Sequence, residues 1–226
     1  MTTRLYYYPI CPMCRMVRVA LEECKIEYSL IQVKFWIKDE MFRNISPTFT
    51  IPVLERINNK QKITIVGSGA ILNYINTNNK NNVNLLGDNL KKKTDILSVM
   101  DISNNIYRDS VYPILNNRVF NVFKRYVNYS KDLKQERNDM LEYLDYIDLL
   151  TEKNERITGN EMTMADIAIA SQISSLDYLN EIKWDSFPNV KQWYSAIKSR
   201  PSFQSTVLKD IIPGISPSQH YKNLDF

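Results

Sequence analysis

The sequence predicts a small α/β domain followed by an all-helical domain. Residues 4–75 read in the order strand, helix, strand, short helix, strand, strand, helix, which is a complete α/β unit. A polar, asparagine-rich stretch follows at residues 77–84 and reads as a linker. Beyond it the apolar residues recur at helical spacing. The boundaries that follow are 1–78 for the α/β domain, 79–89 for the linker, 90–212 for the helical domain and 213–226 for an irregular tail. The 226 residues are enough to bury a core in each domain.

Each element has a local reason. Residues 4–8 are aromatic-rich and strand-like, and Pro9 and Pro12 end them. Proline is tolerated in a first helical turn, so a helix starts at Pro12. Cys14, Val17, Leu21 and Cys24 then share one apolar face, with Arg15, Arg18, Glu22 and Glu23 mostly opposite. Residues 28–33 alternate as a second strand, and residues 38–43 form a short helix closed by Ser46-Pro47. Ile51-Pro52 leads into a third strand, Asn58-Asn59 turns the chain, and residues 63–66 form a fourth. Gly67-Ser68-Gly69 opens the last helix of this domain. In the helical domain, Thr163 and Asp166 form a capping-box variant before a helix rich in Ala, Ile, Ser and Leu, the pattern of a buried central helix. Residues 188–199 form a final amphipathic helix with Val190, Trp193, Tyr194 and Ile197 inward.

Composition removes several function classes. A net charge of +4 on scattered basic residues gives no nucleic-acid footprint. His220 is the only histidine, so histidine-rich metal sites are out and no metal is expected. None of the five glycines builds a phosphate-cradling loop. No stretch reaches the length of a membrane span, and the N-terminus lacks the pattern of a signal peptide. Three cysteines, Cys11, Cys14 and Cys24, crowd the start of the chain, which is a poor disulfide framework and points to a reducing cytoplasm.

Three features bear on chemistry. Cys11-Pro12-Met13-Cys14 lies between the first strand and the first helix. Unpaired amides and the helix dipole lower the pKa of a thiol placed there. Cys11 is then either a reactive thiolate or an inert residue, and Cys14 either a second thiol or a small hydrophobe on the buried face. Ile51-Pro52 either starts a strand with a trans bond or makes a cis bend that offers backbone hydrogen bonds to an extended ligand. Ser68 either caps a helix or binds a carboxylate together with backbone amides.

Together these pieces resemble the glutathione transferase superfamily over nearly the whole chain. The residues that carry the resemblance are Cys11-Pro12-Met13-Cys14, Ile51-Pro52-Val53-Leu54, Ser68 with Ala70-Ile71, Thr163-Met164-Ala165-Asp166 and Trp193 through Phe203. The resemblance implies a thioredoxin-like N-terminal domain and a helical-bundle C-terminal domain. It implies that Cys11 acts on a thiol, that Ile51 before a cis Pro52 holds the cysteinyl part of glutathione, and that Ser68 holds its γ-glutamyl carboxylate. A cysteine here looks like the classes that reduce mixed disulfides or dehydroascorbate. The family usually has Glu or Asp before that serine, whereas this chain has Gly67. A charged hydrogen bond is worth about 1.5–3 kcal/mol. Its loss weakens glutathione, the expected cofactor, roughly ten- to a hundredfold.

A narrower resemblance runs from Asp177 through Trp184, Trp193 and Arg200-Pro201-Ser202-Phe203 into Ile212-Pro213-Gly214 and the terminal residues 220–226. It is to an alphaproteobacterial subgroup of the FtsZ-localised protein A type, which uses this fold to bind the division polymer FtsZ. Two functions stand side by side. One is a homodimeric FtsZ-binding division factor, with Trp36, Tyr221, Leu224, Asp225 and Phe226 as partner-binding candidates. The other is a glutathione-dependent thiol transferase with Cys11 as nucleophile and Cys14 as resolving thiol. Whether the chain is an enzyme is left open by the sequence, as is whether its tail docks on its own domain.

Overall fold

The structure, a computed structural model, describes residues 2–58, 61–124 and 133–224. The N-terminal part runs β1 (Thr2–Tyr7), α1 (Pro12–Glu23), β2 (Ser29–Gln32), a 3₁₀ turn (Phe35–Ile37), α2 (Glu40–Arg43), β3 (Val53–Ile57), β4 (Lys62–Val66) and α3 (Ser68–Asn78). Its sheet has the strand order β2-β1-β3-β4. β1 pairs parallel with β2, placing Leu5 opposite Leu30. It pairs antiparallel with β3, placing Leu5 opposite Leu54. The right-handed crossover expected for parallel neighbours makes α1 the link between β1 and β2. That link puts the start of α1 at the C-terminal end of the central strand.

The second part is helical. α4 (Leu90–Ile106) passes into a π turn (Tyr107–Val111), then α5 (Tyr112–Leu115), a second π turn (Asn116–Phe120) and α6 (Asn121–Lys124). α7 (Lys134–Lys153), α8 (Met164–Tyr178), α9 (Pro188–Lys198) and α10 (Pro201–Ser205) follow. Every residue of α8 is buried. Fully burying a side chain such as Ile167, Ile169, Ile173 or Leu176 contributes roughly 1.5–3 kcal/mol. The start of α8 carries the capping box read from the sequence: Asp166 accepts from the Thr163 amide at 2.9 Å. The same carboxylate also takes the Ile157 amide at 3.0 Å and the Trp193 indole at 3.2 Å, so one side chain fixes α8, the preceding loop and α9.

One apolar core runs through both parts, from Leu5 and Cys14 to Ile173, Trp193 and Tyr221. α1 packs on α3 and α8, so it is a shared wall. This places two charged residues of α1 differently from the sequence reading. Arg15 is fully buried and Arg18 is nearly so, where periodicity put them on the polar side. Arg15 donates to Pro9 O (2.8 Å), Ser174 Oγ (2.9 Å) and the Tyr221 hydroxyl (2.9 Å). Both guanidinium groups meet Asp210, Arg18 at 2.7 Å. A buried cation needs such partners. The helix is amphipathic as read, but its charged side faces a second domain instead of water.

The asparagines between the two parts also have work in the fold. Asn79 accepts from the Val83 amide and donates to Val83 O, and Asn76 accepts from the Leu85 amide. They satisfy the backbone that leaves α3.

Candidate functional site

Cys11 is the N-cap of α1, with extended backbone (φ −69°, ψ 116°), and Pro12 is the first helical residue. The Cys11 amide donates to Tyr8 O at 3.1 Å, and the Cys11 carbonyl accepts from the amides of Cys14 and Arg15 at 3.0 Å. Its side chain makes no aligned capping bond, yet the amides of Met13 and Cys14 lie against the sulfur. The thiol is pushed below its ordinary range. The Cys14 thiol, a hydrogen-bond donor to it, is the largest cause and outweighs burial, and the two amides and the Tyr107 hydroxyl add to it. Cys14 moves the other way: burial and the neighbouring Cys11 hold its thiol well above the usual range. Of the two thiols, Cys11 is therefore the one that gives up its proton first. All three cysteines are unpaired and buried.

The other predicted ligand-binding residues gather at the same end of α1. The Ile51–Pro52 peptide is cis. The Pro52 carbonyl accepts from the Gly67 amide at 3.0 Å, joining the entry of β3 to the entry of α3. Ser68 directs its hydroxyl to the sulfur of Met13 at 3.5 Å, and Met13 is the second helical residue of α1. A chain of contacts thus links the first turn of α1, Ser68, Gly67 and Pro52. Gly67 adopts φ 91°, ψ 141°, with nothing within 4 Å of where a Cβ would stand. The donor set suits the thiol and carboxylate of a glutathione-like tripeptide. It offers no carboxylate at position 67 for an ammonium group, and a Cβ there would meet nothing within 4 Å.

The helical part closes the site with aromatic residues that the sequence reading did not single out. Tyr107 and Tyr112 both feel Cys11 electrostatically, and burial raises both phenols. Their rings meet edge-on at 5.9 Å. Phe120 lies 5.9 Å from Tyr8, 5.6 Å from Trp36 and 6.3 Å from Tyr112. Trp36 is half buried among them, edge-on to Tyr8 at 4.8 Å and stacked on Phe123 at 6.0 Å. It therefore bridges the two domains. The sequence did hold one signal for Tyr107. Pro113 sits inside a helical run, where it has no amide to give and crowds the preceding turn.

The tail candidates divide. Tyr221 is fully buried, accepts from Arg15 and donates to Val207 O. Leu224 is half buried. Asp225 and Phe226 lie outside the described residues. Among the described residues no helix is long and apolar enough to cross a membrane, and no three His, Cys, Asp or Glu side chains stand together as metal ligands.

A thioredoxin-like sheet with a cysteine at the start of its first helix, a cis-proline turn beside it and an appended helical domain defines the glutathione transferase fold. Residues 5–82 match the glutathione S-transferase N-terminal domain and residues 118–205 the C-terminal domain, and the chain belongs to this superfamily. Over its whole length it is similar to FtsZ-localized protein A of Caulobacter vibrioides, with 29% identity across 98% of this chain and 97% of that protein. The structure of FzlA from C. crescentus matches with a TM-score of 0.93 at 28% identity, covering 100% of both chains. A glutathione S-transferase from Sinorhizobium meliloti matches with a TM-score of 0.91 at 27% identity, again over 100% of both.

Proposed function

We propose that this chain is a glutathione-transferase-fold protein that binds the division polymer FtsZ and has weak or no glutathione chemistry. The observation that carries this reading is the end-to-end likeness to FtsZ-localized protein A, tail included. Gly67 supports it, because a site kept for glutathione benefits from an anion at that position. In this reading Tyr221 does not touch the partner. It anchors the tail, and recognition falls to Leu224, Asp225 and Phe226, whose side chains combine apolar and acidic chemistry. Trp36 serves through the aromatic cluster at the domain junction. The chain works as a homodimer, in which two weak sites bind a filament with avidity. Exposed Ile63 and Val66 on the edge strand β4, and Leu90 and Leu97 one heptad apart on α4, offer apolar surface for self-association. Unpaired cysteines suit a cytoplasmic location. Sedimentation of the full chain with polymerised FtsZ tests the proposal. The chain pellets with polymer and stays in the supernatant without it; failure to pellet removes the proposal.

A second reading, a thiol transferase, is favoured by one observation: Cys11 is acidified at a helix N-terminus with Cys14 beside it. Calorimetric titration with glutathione separates the two. The first reading predicts millimolar or undetectable binding. Micromolar binding, abolished by Cys11→Ala or Ser68→Ala, selects the transferase.

A further inference from the structure

We propose that Lys198 is the positioning residue of the tail: its buried ammonium fixes the backbone on both sides of Lys222 and so sets the place of Leu224 before any partner arrives. Lys198 is the last residue of α9 and is fully buried. An ammonium in such a place needs acceptors for its hydrogens. The tail supplies two of them, the His220 carbonyl at 2.6 Å and the Asn223 carbonyl at 2.7 Å. The charge faces Asp177 Oδ2 of α8 at 3.7 Å. The other oxygen of that carboxylate accepts from the Ser218 hydroxyl at 3.2 Å and the Trp184 indole at 3.3 Å. Ser218 is itself a node. Its amide donates to Tyr178 O at 3.0 Å, and its hydroxyl oxygen accepts from the Tyr221 amide at 3.1 Å. The ends of α8 and α9 therefore grip residues 218–223 together. The dependence is mutual, because without the tail the buried ammonium would keep Asp177 and lose both carbonyls.

Lys222 and Asn223 are exposed although the Asn223 carbonyl is held from below. Side chains in solvent on a fixed backbone make an ordered surface. Leu224, next in the chain, lines a groove of about 410 Å³ together with Leu208, Gln204, Lys209 and Lys222. A segment already ordered binds more tightly than a free one, because its chain entropy is lost on folding and not on association. Lys198 touches no partner in this role. It acts through the backbone that leads into Leu224, so a residue inside the helical domain governs how strongly the tail binds.

This inference rests on the FtsZ-binding reading. The test joins trypsin cleavage after Lys222, in the full chain, to sedimentation with polymerised FtsZ. Cleavage of a folded chain follows the fraction that is locally open. In Lys198→Met, cleavage after Lys222 rises about tenfold relative to cleavage after exposed Lys25, the equivalent of one charged hydrogen bond. The share of this variant that pellets with polymer falls. Ser218→Ala, a milder change, moves both readouts the same way and decides the matter if Lys198→Met does not fold. Lys153→Met removes an exposed charge at the end of α7 and leaves both readouts as in the unaltered chain. Cleavage after Lys222 that is unchanged, or that rises in step with cleavage after Lys25, overturns the grip on the tail. Faster cleavage with undiminished pelleting overturns the positioning role, as does an equal change in Lys153→Met. An unaltered chain that does not pellet removes the reading beneath and this role with it.

Discussion

Gly67 shows how one residue changes both charge and backbone at a site. Its φ of 91° lies in the region that side chains with a Cβ avoid. An acidic residue at this position would be held in strain, and glycine removes the strain together with the charge. Because nothing stands within 4 Å of a built Cβ, Gly67→Ala meets backbone strain alone. Its expected cost is roughly 1–3 kcal/mol in urea unfolding; an unchanged midpoint would show that the turn relaxes freely. At this scale Cys11, Pro52, Gly67 and Ser68 were legible because their meaning is local: a helix start, a proline, a missing side chain. Tyr107 was not, because its direction depends on a π turn that breaks the 3.6-residue period used to assign faces. Arg15 and Arg18 were misplaced because a polar helix face looks the same whether it meets water or a buried carboxylate.

Among the elements, α1 is the member on which the rest converge. Its first turn carries the thiols, its middle carries the two arginines, and its last turn carries Glu23. Arg200 grips Glu23 with two bonds of 2.8 and 2.7 Å, and the Ser202 hydroxyl adds a third contact. The motif Arg200-Pro201-Ser202-Phe203 thus acts as a clamp from the start of α10 onto the end of α1. Burial alone would raise the Glu23 carboxyl, but the bonds from Arg200 and Ser202 prevail and lower it. A carboxylate with a lowered folded-state pKa stabilises the protein above its unfolded pKa, and that stability is lost as pH falls through the folded value. Glu23→Gln is therefore expected to cost about 1–3 kcal/mol at neutral pH. The difference from the unaltered chain should shrink as unfolding is measured at pH values below the ordinary glutamate range. A difference that stays constant with pH would mean that the ion pair contributes nothing and only packing is lost. The order of these elements was readable from periodicity and prolines; their docking was not, since it depends on pairs nearly two hundred residues apart.

In the molecule as a whole, the tail is anchored at a few points, and Lys222 and Asn223 are exposed. Ile212 and Tyr221 are buried, and the Lys198 ammonium donates to the carbonyls of His220 and Asn223 at 2.6 and 2.7 Å. The sequence showed a tail with apolar anchors and no helical period, which favours docking on its own domain over display as a recognition surface. The structure docks Ile212 and Tyr221; Leu224, Asp225 and Phe226 are the residues proposed for recognition. This division makes a sharp test available, because a chain ending at Asn223 keeps every anchor and loses only Leu224, Asp225 and Phe226. The measurement is sedimentation of this shortened chain beside the full chain, with polymerised FtsZ. The full chain is predicted to pellet with the polymer and the shortened chain to remain in the supernatant while its unfolding midpoint is unchanged. Equal pelleting of the two, or no pelleting of either, would contradict the account.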